Sequence, residues 1–346
     1  MLERLAGTSG ASGKLIDLAT NTNPIGASPR AISAAARAVA HAHRYPDPGY
    51  PSLRGGLSAH LRVAPEEIVL GNGSDGIIQL LGCLLLERDT RALVSKPAFS
   101  RYADAATLNR AECGQVPLTE LWAHDLDEMS RRVDGRTRLV FITNPHNPTG
   151  TILSRRQVTR FLDSVREDVV VAFDEAYHEY AAGAADYADA LTYVREGRPN
   201  VVVLRTMSKV YALAGLRVGY GVMSRGLAAR CERYRPPFNI AAAAEAAAVA
   251  ALADRPHVEE TLNLNEEGKR YLYSAFAALG LEYVPTYANF IWVDVVRGAR
   301  KLAEALAERN ILVLPGDIFD APTHIRVSVG RPEHNAAFAR ALGELL

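Results

Sequence analysis

Four short segments carry residue types that could do chemistry together, and each directly follows an apolar run. Gly71-Asn-Gly-Ser-Asp-Gly76 sets glycines and backbone N–H groups at the start of a helix pattern. A phosphate is attracted there by the amides and by the positive end of the helix. Thr143-Asn-Pro-His-Asn-Pro-Thr-Gly150 is a rigid Asn-Pro loop whose asparagines offer polar groups to a ligand. Asp174-Glu-Ala-Tyr177 closes the most apolar run of the chain, where a carboxylate is costly unless a cation meets it. Arg205-Thr-Met-Ser-Lys209, with Arg217 eight residues further on, joins an amine nucleophile to hydroxyls and to an arginine suited to anions.

Each segment also has a bland alternative. The first fits a tight turn or a dinucleotide site as well as a general phosphate cradle. A dinucleotide fold wants an acidic residue at the end of the next strand, which here reads Val94-Ser-Lys-Pro97, so the phosphate cradle leads. The Asn-Pro loop could be a plain turn, Asp174 a helix cap or surface salt bridge, and Lys209 a solvated amine. Lys209 is one of only five lysines, with Lys14, Lys96, Lys269 and Lys301, and it alone sits among hydroxyl, Gly and Arg partners. No GxSxG, HExxH or GxxxxGK[ST] pattern occurs, which removes the usual serine hydrolase, zincin and Walker signatures. His41 and His43 stand two apart on a helix pattern and point to different sides, so no metal is expected.

The elements that must position these segments are legible as short runs rich in β-branched residues: 67–70, 92–95, 139–142, 169–173 and 200–204. Such runs suit strands covered on both faces. Helical patterns lie between most of them, one opened by the capping box Ser154-Arg-Arg-Gln157. The alternation predicts an α/β fold with a mainly parallel sheet covered by helices. After Pro236-Pro-Phe-Asn239 the texture changes to an alanine-rich helix, a long helical stretch to Leu279, and strands around 282–295 and 325–329. These read as a smaller α+β domain, joined by the N-terminal residues. The expected division is a large domain over 45–240 and a small domain made of 1–44 and 241–346. A helix from Ser28-Pro29 to about His43 is expected to lie near that smaller part.

Composition narrows the function classes. The 346 residues carry 39 basic and 39 acidic side chains, so no bulk field favours nucleic acid or an anionic membrane. The apolar share of 48% excludes general disorder. The apolar stretch around 77–86 is too short to span a bilayer, and residues 1–14 contain no leader-like apolar run. Cys83, Cys113 and Cys231 are odd in number and widely spaced, as for reduced thiols in cytoplasm.

In this order the four segments resemble the pyridoxal-phosphate enzymes of the aspartate aminotransferase fold, class I/II. Asn21-Thr-Asn-Pro24, Arg44-Tyr-Pro-Asp-Pro48 and Ile325-Arg-Val-Ser-Val-Gly330 place the resemblance in the histidinol-phosphate aminotransferase branch, from about residue 17 to 335. It implies the fold type I of these transferases, with a mainly parallel seven-stranded sheet in the large domain. It also implies a Schiff base between Lys209 and pyridoxal 5'-phosphate, with Lys209 then shuttling the proton. Asp174 would pair with the ring nitrogen. Tyr177 and Asn147 would bond the ring oxygen, and Phe99 would stack on the ring. Ser74, Asp75, Thr206, Ser208 and Arg217 match the phosphate cup. Tyr45 matches a tyrosine that reaches the neighbouring subunit's phosphate, which implies a homodimer with shared sites. Arg326 and Asn23 fall on the substrate side, Arg326 as the clamp on the α-carboxylate.

The sequence departs from that branch at three places. An aromatic residue is common where Ile25 stands, an arginine where Leu314 stands, and an asparagine where His146 stands. The reading is an aminotransferase acting on an L-amino acid and a 2-oxo acid, the donor's side chain uncharged or differently polar rather than phosphorylated, with His146 or residues near Asp317 lining its pocket. The alternative is a decarboxylase or cyclase of the same branch, similar to threonine-phosphate decarboxylase. Two further rivals rank below these. A regulator carrying this fold on a DNA-binding domain is disfavoured because the segment before Asp17 is too short for one. A nicotinamide dehydrogenase would be separated by its absorbance spectrum.

Overall fold

Alternation within the buried runs explains how one sheet is covered on both faces. Val140, Ile142, Val171, Phe173, Val201 and Val203 belong to one apolar core, while Leu139, Phe141, Val170, Ala172, Val202 and Leu204 belong to another on the opposite face. Side chains two apart share a face of a strand, so runs with no polar positions demand helices on both sides. Each fully buried Val, Leu or Phe contributes roughly 1.5–3 kcal/mol. A computed structural model describes residues 15–296 and 298–346. The N-terminal stretch read for a leader lies outside them.

The large sheet has seven strands, in the order Ile68–Asn72, Val218–Val222, Val201–Thr206, Val170–Asp174, Thr137–Thr143, Arg91–Lys96 and Glu112–Pro117. Pairings are parallel except those of Val218–Val222, which runs antiparallel to both neighbours. The carboxyl ends of the parallel strands therefore meet the amino end of this one strand along a single edge. Asn72, Thr143, Asp174, Thr206 and Arg217 arrive at that edge for this reason, the position at which doubly wound sheets bind ligands.

A second, antiparallel sheet orders Leu314–Pro315, His324–Ser328, Phe290–Asp294 and Tyr283–Val284. Its core draws Leu272, Phe276, Ile291, Val293, Leu302, Leu306 and Phe338 from this sheet and the helices over it, together with Leu18. Ile16–Asp17 pairs in parallel with Ile311–Leu312, which ties the N-terminal segment to this part. The capping box forms as read: the Ser154 hydroxyl accepts from Gln157 N, and the Gln157 side chain accepts from Ser154 N.

The early helix is shorter than its pattern suggested, Pro29–Val39, with Ser28 as its cap. It packs on the alanine-rich helix Ala242–Leu252. That helix joins the core of the large sheet through Ala244, Ala247, Ala248 and Ala251. Small side chains let its backbone come close to its neighbours, so two helices from outside the expected large domain, Pro29–Val39 and Ala242–Leu252, close over one face of the large sheet.

Candidate active site

The strand ends surround a cavity of about 590 Å³. Lys209, Asp174, Tyr177, Asn147, Phe99, Ser74, Asp75, Thr206, Ser208, Arg217 and Arg326 all line it. Among the cofactor and substrate residues implied by the resemblance, Tyr45 and Asn23 do not.

One end of the cavity is built for a phosphate. The helix Gly73–Leu85 begins without a side-chain cap from Asn72; Gly73 N donates to Arg217 O at 3.1 Å, and the amides after it in the first turn face the anion end. Gly73 has a φ of +67°, and a Cβ there would strike the Arg217 guanidinium. A Cβ on Gly219 would overlap the Gly73 backbone. Glycine is thus required at both positions to bring Arg217 against the helix start. Arg217 donates from Nη2 to Asp75 Oδ2 at 3.0 Å and from Nη1 to Ser208 Oγ at 3.5 Å. Thr206 Oγ1 donates to Ser208 Oγ at 2.8 Å and accepts from Ser208 N at 3.1 Å. Hydroxyls, amides and one guanidinium converge there.

The floor holds a buried carboxylate to which no cation among the described residues is hydrogen-bonded. Asp174 is 3% exposed, and its oxygens accept only from Tyr102 OH at 2.8 Å and Ala176 N at 3.1 Å. Burial pushes its carboxyl up to about 6, opposed by those two hydrogen bonds and by the charge of Lys209. The next residue is treated differently. Glu175 accepts from Arg205 Nε and Nη2 at 3.0 and 2.7 Å, and Arg205 also reaches Asp189 at 2.8 Å. Glu175, His178 and Asp189 cluster like metal ligands, yet the Arg205 guanidinium already supplies the positive charge there.

Lys209 Nζ donates to the carbonyl oxygens of Thr20 and Asn21 at 3.4 Å each and lies 5.6 Å from the Tyr177 ring centre. Tyr177 OH accepts from Asn21 Nδ2 at 3.0 Å. Phe99 meets Tyr102 edge-on at 5.7 Å. Arg326, buried, donates to Asn147 Oδ1 at 2.6 Å and to Ala19 O at 2.7 Å, while its Nε has no partner. Burial lowers its pKa to about 10, which leaves it charged at neutral pH.

Two expectations from sequence, for Asn23 and His146, need correction. Asn23 donates to Val210 O at 2.9 Å and Thr261 Oγ1 at 3.0 Å and accepts from Ile25 N at 3.0 Å, so its side chain is spent on holding the N-terminal segment. Its neighbour Asn21, with a φ of +54°, turns its side chain into the site instead. His146 is fully buried, bonded through Nδ1 to Thr149 Oγ1 at 2.9 Å and packed edge-on against His124, away from the cavity. The wall near Asp317 is supplied by Ile318 and Phe319, since Asp317 pairs with Arg300. Tyr45 is 82% exposed and stacks on Phe238 at 4.7 Å.

A carboxylate lacking a cation, facing a lysine beside an anion cup, is the donor set that a phosphorylated, protonated pyridine aldehyde requires. Comparison with known proteins agrees. The family model for aminotransferase class I and II matches residues 13–342. A histidinol-phosphate aminotransferase of Moorella thermoacetica is 44% identical over 332 residues, 96% of this chain and 86% of that protein. Histidinol-phosphate aminotransferase 2 of Carboxydothermus hydrogenoformans is 41% identical over 95% of this chain and 90% of its own length. Among solved structures, the histidinol-phosphate aminotransferase of Sinorhizobium meliloti in complex with pyridoxal-5'-phosphate superposes with a TM-score of 0.92. It is 27% identical, covering 99% of this chain and 93% of that one.

Proposed function

The chain belongs to the class I and II aminotransferases, and on that footing we propose that it moves an amino group between an L-amino acid with an uncharged side chain and a 2-oxo acid. It is a pyridoxal-phosphate-dependent aminotransferase. When bound, the cofactor supplies an electron sink for the carbanion left as the donor's amino-bearing carbon loses its proton. Ser74, Thr206, Ser208 and Arg217 would hold its phosphate, Asp174 would pair with its ring nitrogen, Asn147 and Tyr177 would bond its ring oxygen, and Phe99 would stack on the ring. Lys209 Nζ anchors the cofactor and serves as the base at the donor's amino-bearing carbon. Arg326 orients donor and acceptor alike through a bidentate grip on the carboxylate that both carry.

The donor class rests on one observation. Leu314 is the cross-strand partner of Arg326, and both side chains line the cavity. Among the described residues the substrate end therefore offers one guanidinium flanked by Leu314, Ile318 and Phe319, which suits a single carboxylate and an apolar or aromatic side chain. A phosphate monoester carries about −1.5 to −2 charges at neutral pH, and a lone guanidinium leaves part of that charge buried without a partner.

L-histidinol phosphate is the second reading, favoured by the names of the relatives. Its phosphate hangs from the carbon next to the amino-bearing carbon, so it would face Arg326 itself rather than the far end of the side chain. The test compares kcat/KM for a panel of amino donors with 2-oxoglutarate as acceptor. An aromatic or aliphatic L-amino acid ahead of L-histidinol phosphate bears out the first reading; L-histidinol phosphate ahead by a wide margin assigns the second.

The active assembly is a homodimer. Support comes from Tyr45 and Phe238, an exposed aromatic stack that does not line the chain's own cavity, as for a residue that reaches a neighbour's site. The three cysteines are free, in keeping with a reducing cytoplasm. Among the described residues no helix is long and apolar enough to cross a membrane.

A further inference from the structure

Tyr102 stands on the helix Arg101–Leu108, outside every motif read from sequence, yet it makes the closest side-chain contact to Asp174. Its hydroxyl lies 2.8 Å from Asp174 Oδ2 and 2.9 Å from Thr143 Oγ1. An ionised carboxylate can only accept, so the single phenolic proton goes to Asp174, and Thr143 in turn donates to the phenol oxygen. The chain of donors runs one way, toward the carboxylate. Thr143 is itself held, because its carbonyl accepts from His124 Nε2 at 2.8 Å. Burial holds the His124 pKa down to about 4, so the ring is neutral and this bond adds no charge to the site.

Packing leaves Tyr102 no other orientation. It is 1% exposed and lies flat on Phe141, with ring centres 4.6 Å apart and 13° between planes. Strand periodicity explains why these groups meet: Phe141, Thr143, Ala172 and Asp174 point to the same face of the sheet, the face on which Tyr102 packs. Burial together with the Asp174 charge keeps the phenol protonated, and therefore a donor.

We propose that Tyr102, backed by Thr143, is a positioning residue that fixes the orientation of Asp174 and its electrostatic pairing with the cofactor's ring nitrogen. This rests on the reading of Asp174 given above. A hydrogen bond to a charged group is among the stronger kinds. Without it, Asp174 would gain proton affinity and draw the shared proton away from the ring nitrogen.

The test uses holoenzyme reconstituted with pyridoxal 5'-phosphate labelled with 15N in the ring, and reads the nitrogen chemical shift at neutral pH beside steady-state kinetics. In Tyr102→Phe, which keeps the ring stack, the signal is expected to move toward the unprotonated pyridine position. The kcat is expected to fall about 10- to 100-fold, with donor KM within about threefold. Thr143→Val is expected to move the signal the same way by less, and it decides the matter if Tyr102→Phe does not fold. A wild-type nitrogen signal in Tyr102→Phe overturns the proposal even if kcat falls, because packing alone would then account for the loss. Asp174→Asn separates the two readings. If it leaves the signal unmoved, the role of Asp174 fails and the proposal with it; if it moves the signal while Tyr102→Phe does not, only the proposal fails.

Discussion

Asp174 and Glu175 are adjacent buried carboxylates on opposite faces of one strand end, and only Glu175 is given a cation by the protein. Arg205 grips Glu175 through two nitrogens, while Asp174 receives two neutral donors, Tyr102 and Ala176. One carboxylate is satisfied by the fold, and the other has a place for a positive ligand. Their roles should separate by mutation. Glu175→Gln is expected to lower stability by about 3 kcal/mol, because the buried Arg205 loses its fully buried carboxylate partner and keeps only the partly exposed Asp189. Urea denaturation of the holoenzyme checks this.

Asp174→Asn is expected to retain the cofactor and fold while losing about 100-fold or more in kcat. An amide cannot match a charge-assisted hydrogen bond to a protonated ring nitrogen. Turnover at the wild-type rate would mean that Asp174 only caps the turn at Ala176.

The same carboxyl should show itself in the pH dependence of the protein stripped of cofactor. Its folded pKa of about 6 lies above the ordinary value of 3.8. The contribution is present below about pH 4 and lost as pH rises through 6, where a charge must be kept buried. Two pKa units at about 1.4 kcal/mol each amount to about 3 kcal/mol. Apo Asp174→Asn is therefore expected to be more stable than apo wild type at pH 7, with the difference vanishing near pH 4. Thermal or urea melts across that range measure it.

Leu314→Arg is expected to place a second guanidinium beside Arg326 and to shift donor preference toward phosphate esters. The ratio of kcat/KM for L-histidinol phosphate to that for the best amino acid should rise by about tenfold or more, the value of one charge-assisted contact. Arg326→Lys, which loses the fork, should raise KM for donor and acceptor together.

Mixing inactive Lys209→Ala and Tyr45→Ala proteins tests the shared site. In a homodimer one of the two sites in each mixed pair would carry both native residues, so activity should exceed that of either parent. No recovery after subunit exchange would place Tyr45 outside catalysis.

The buried strands were legible because apolar β-branched runs end abruptly, and the polar residues at those ends had to be at a sheet edge. Glu112–Pro117 was missed since Gly114, Gln115 and Pro117 break any apolar run in an edge strand. Val218–Val222 was hidden inside a motif read for its arginine, although its antiparallel direction is what carries Arg217 to the phosphate end. Contacts across long separations left no local mark. Tyr102 meets Asp174 over 72 residues and Asn21 meets Tyr177 over 156. In the Asn21-Thr-Asn23 pair, which asparagine enters the site is set by a backbone turn at Asn21 that the sequence does not spell out.

Lys209 tests the central claim most directly. Protein incubated with pyridoxal 5'-phosphate should be yellow, lose its visible band on borohydride reduction, and then carry the cofactor's mass on the peptide containing Lys209. Lys209→Ala should show neither the band nor donor-dependent turnover. Cofactor mass fixed on Lys96, Lys269 or Lys301 instead, or a Lys209→Ala protein that still forms the reducible band, would contradict the account.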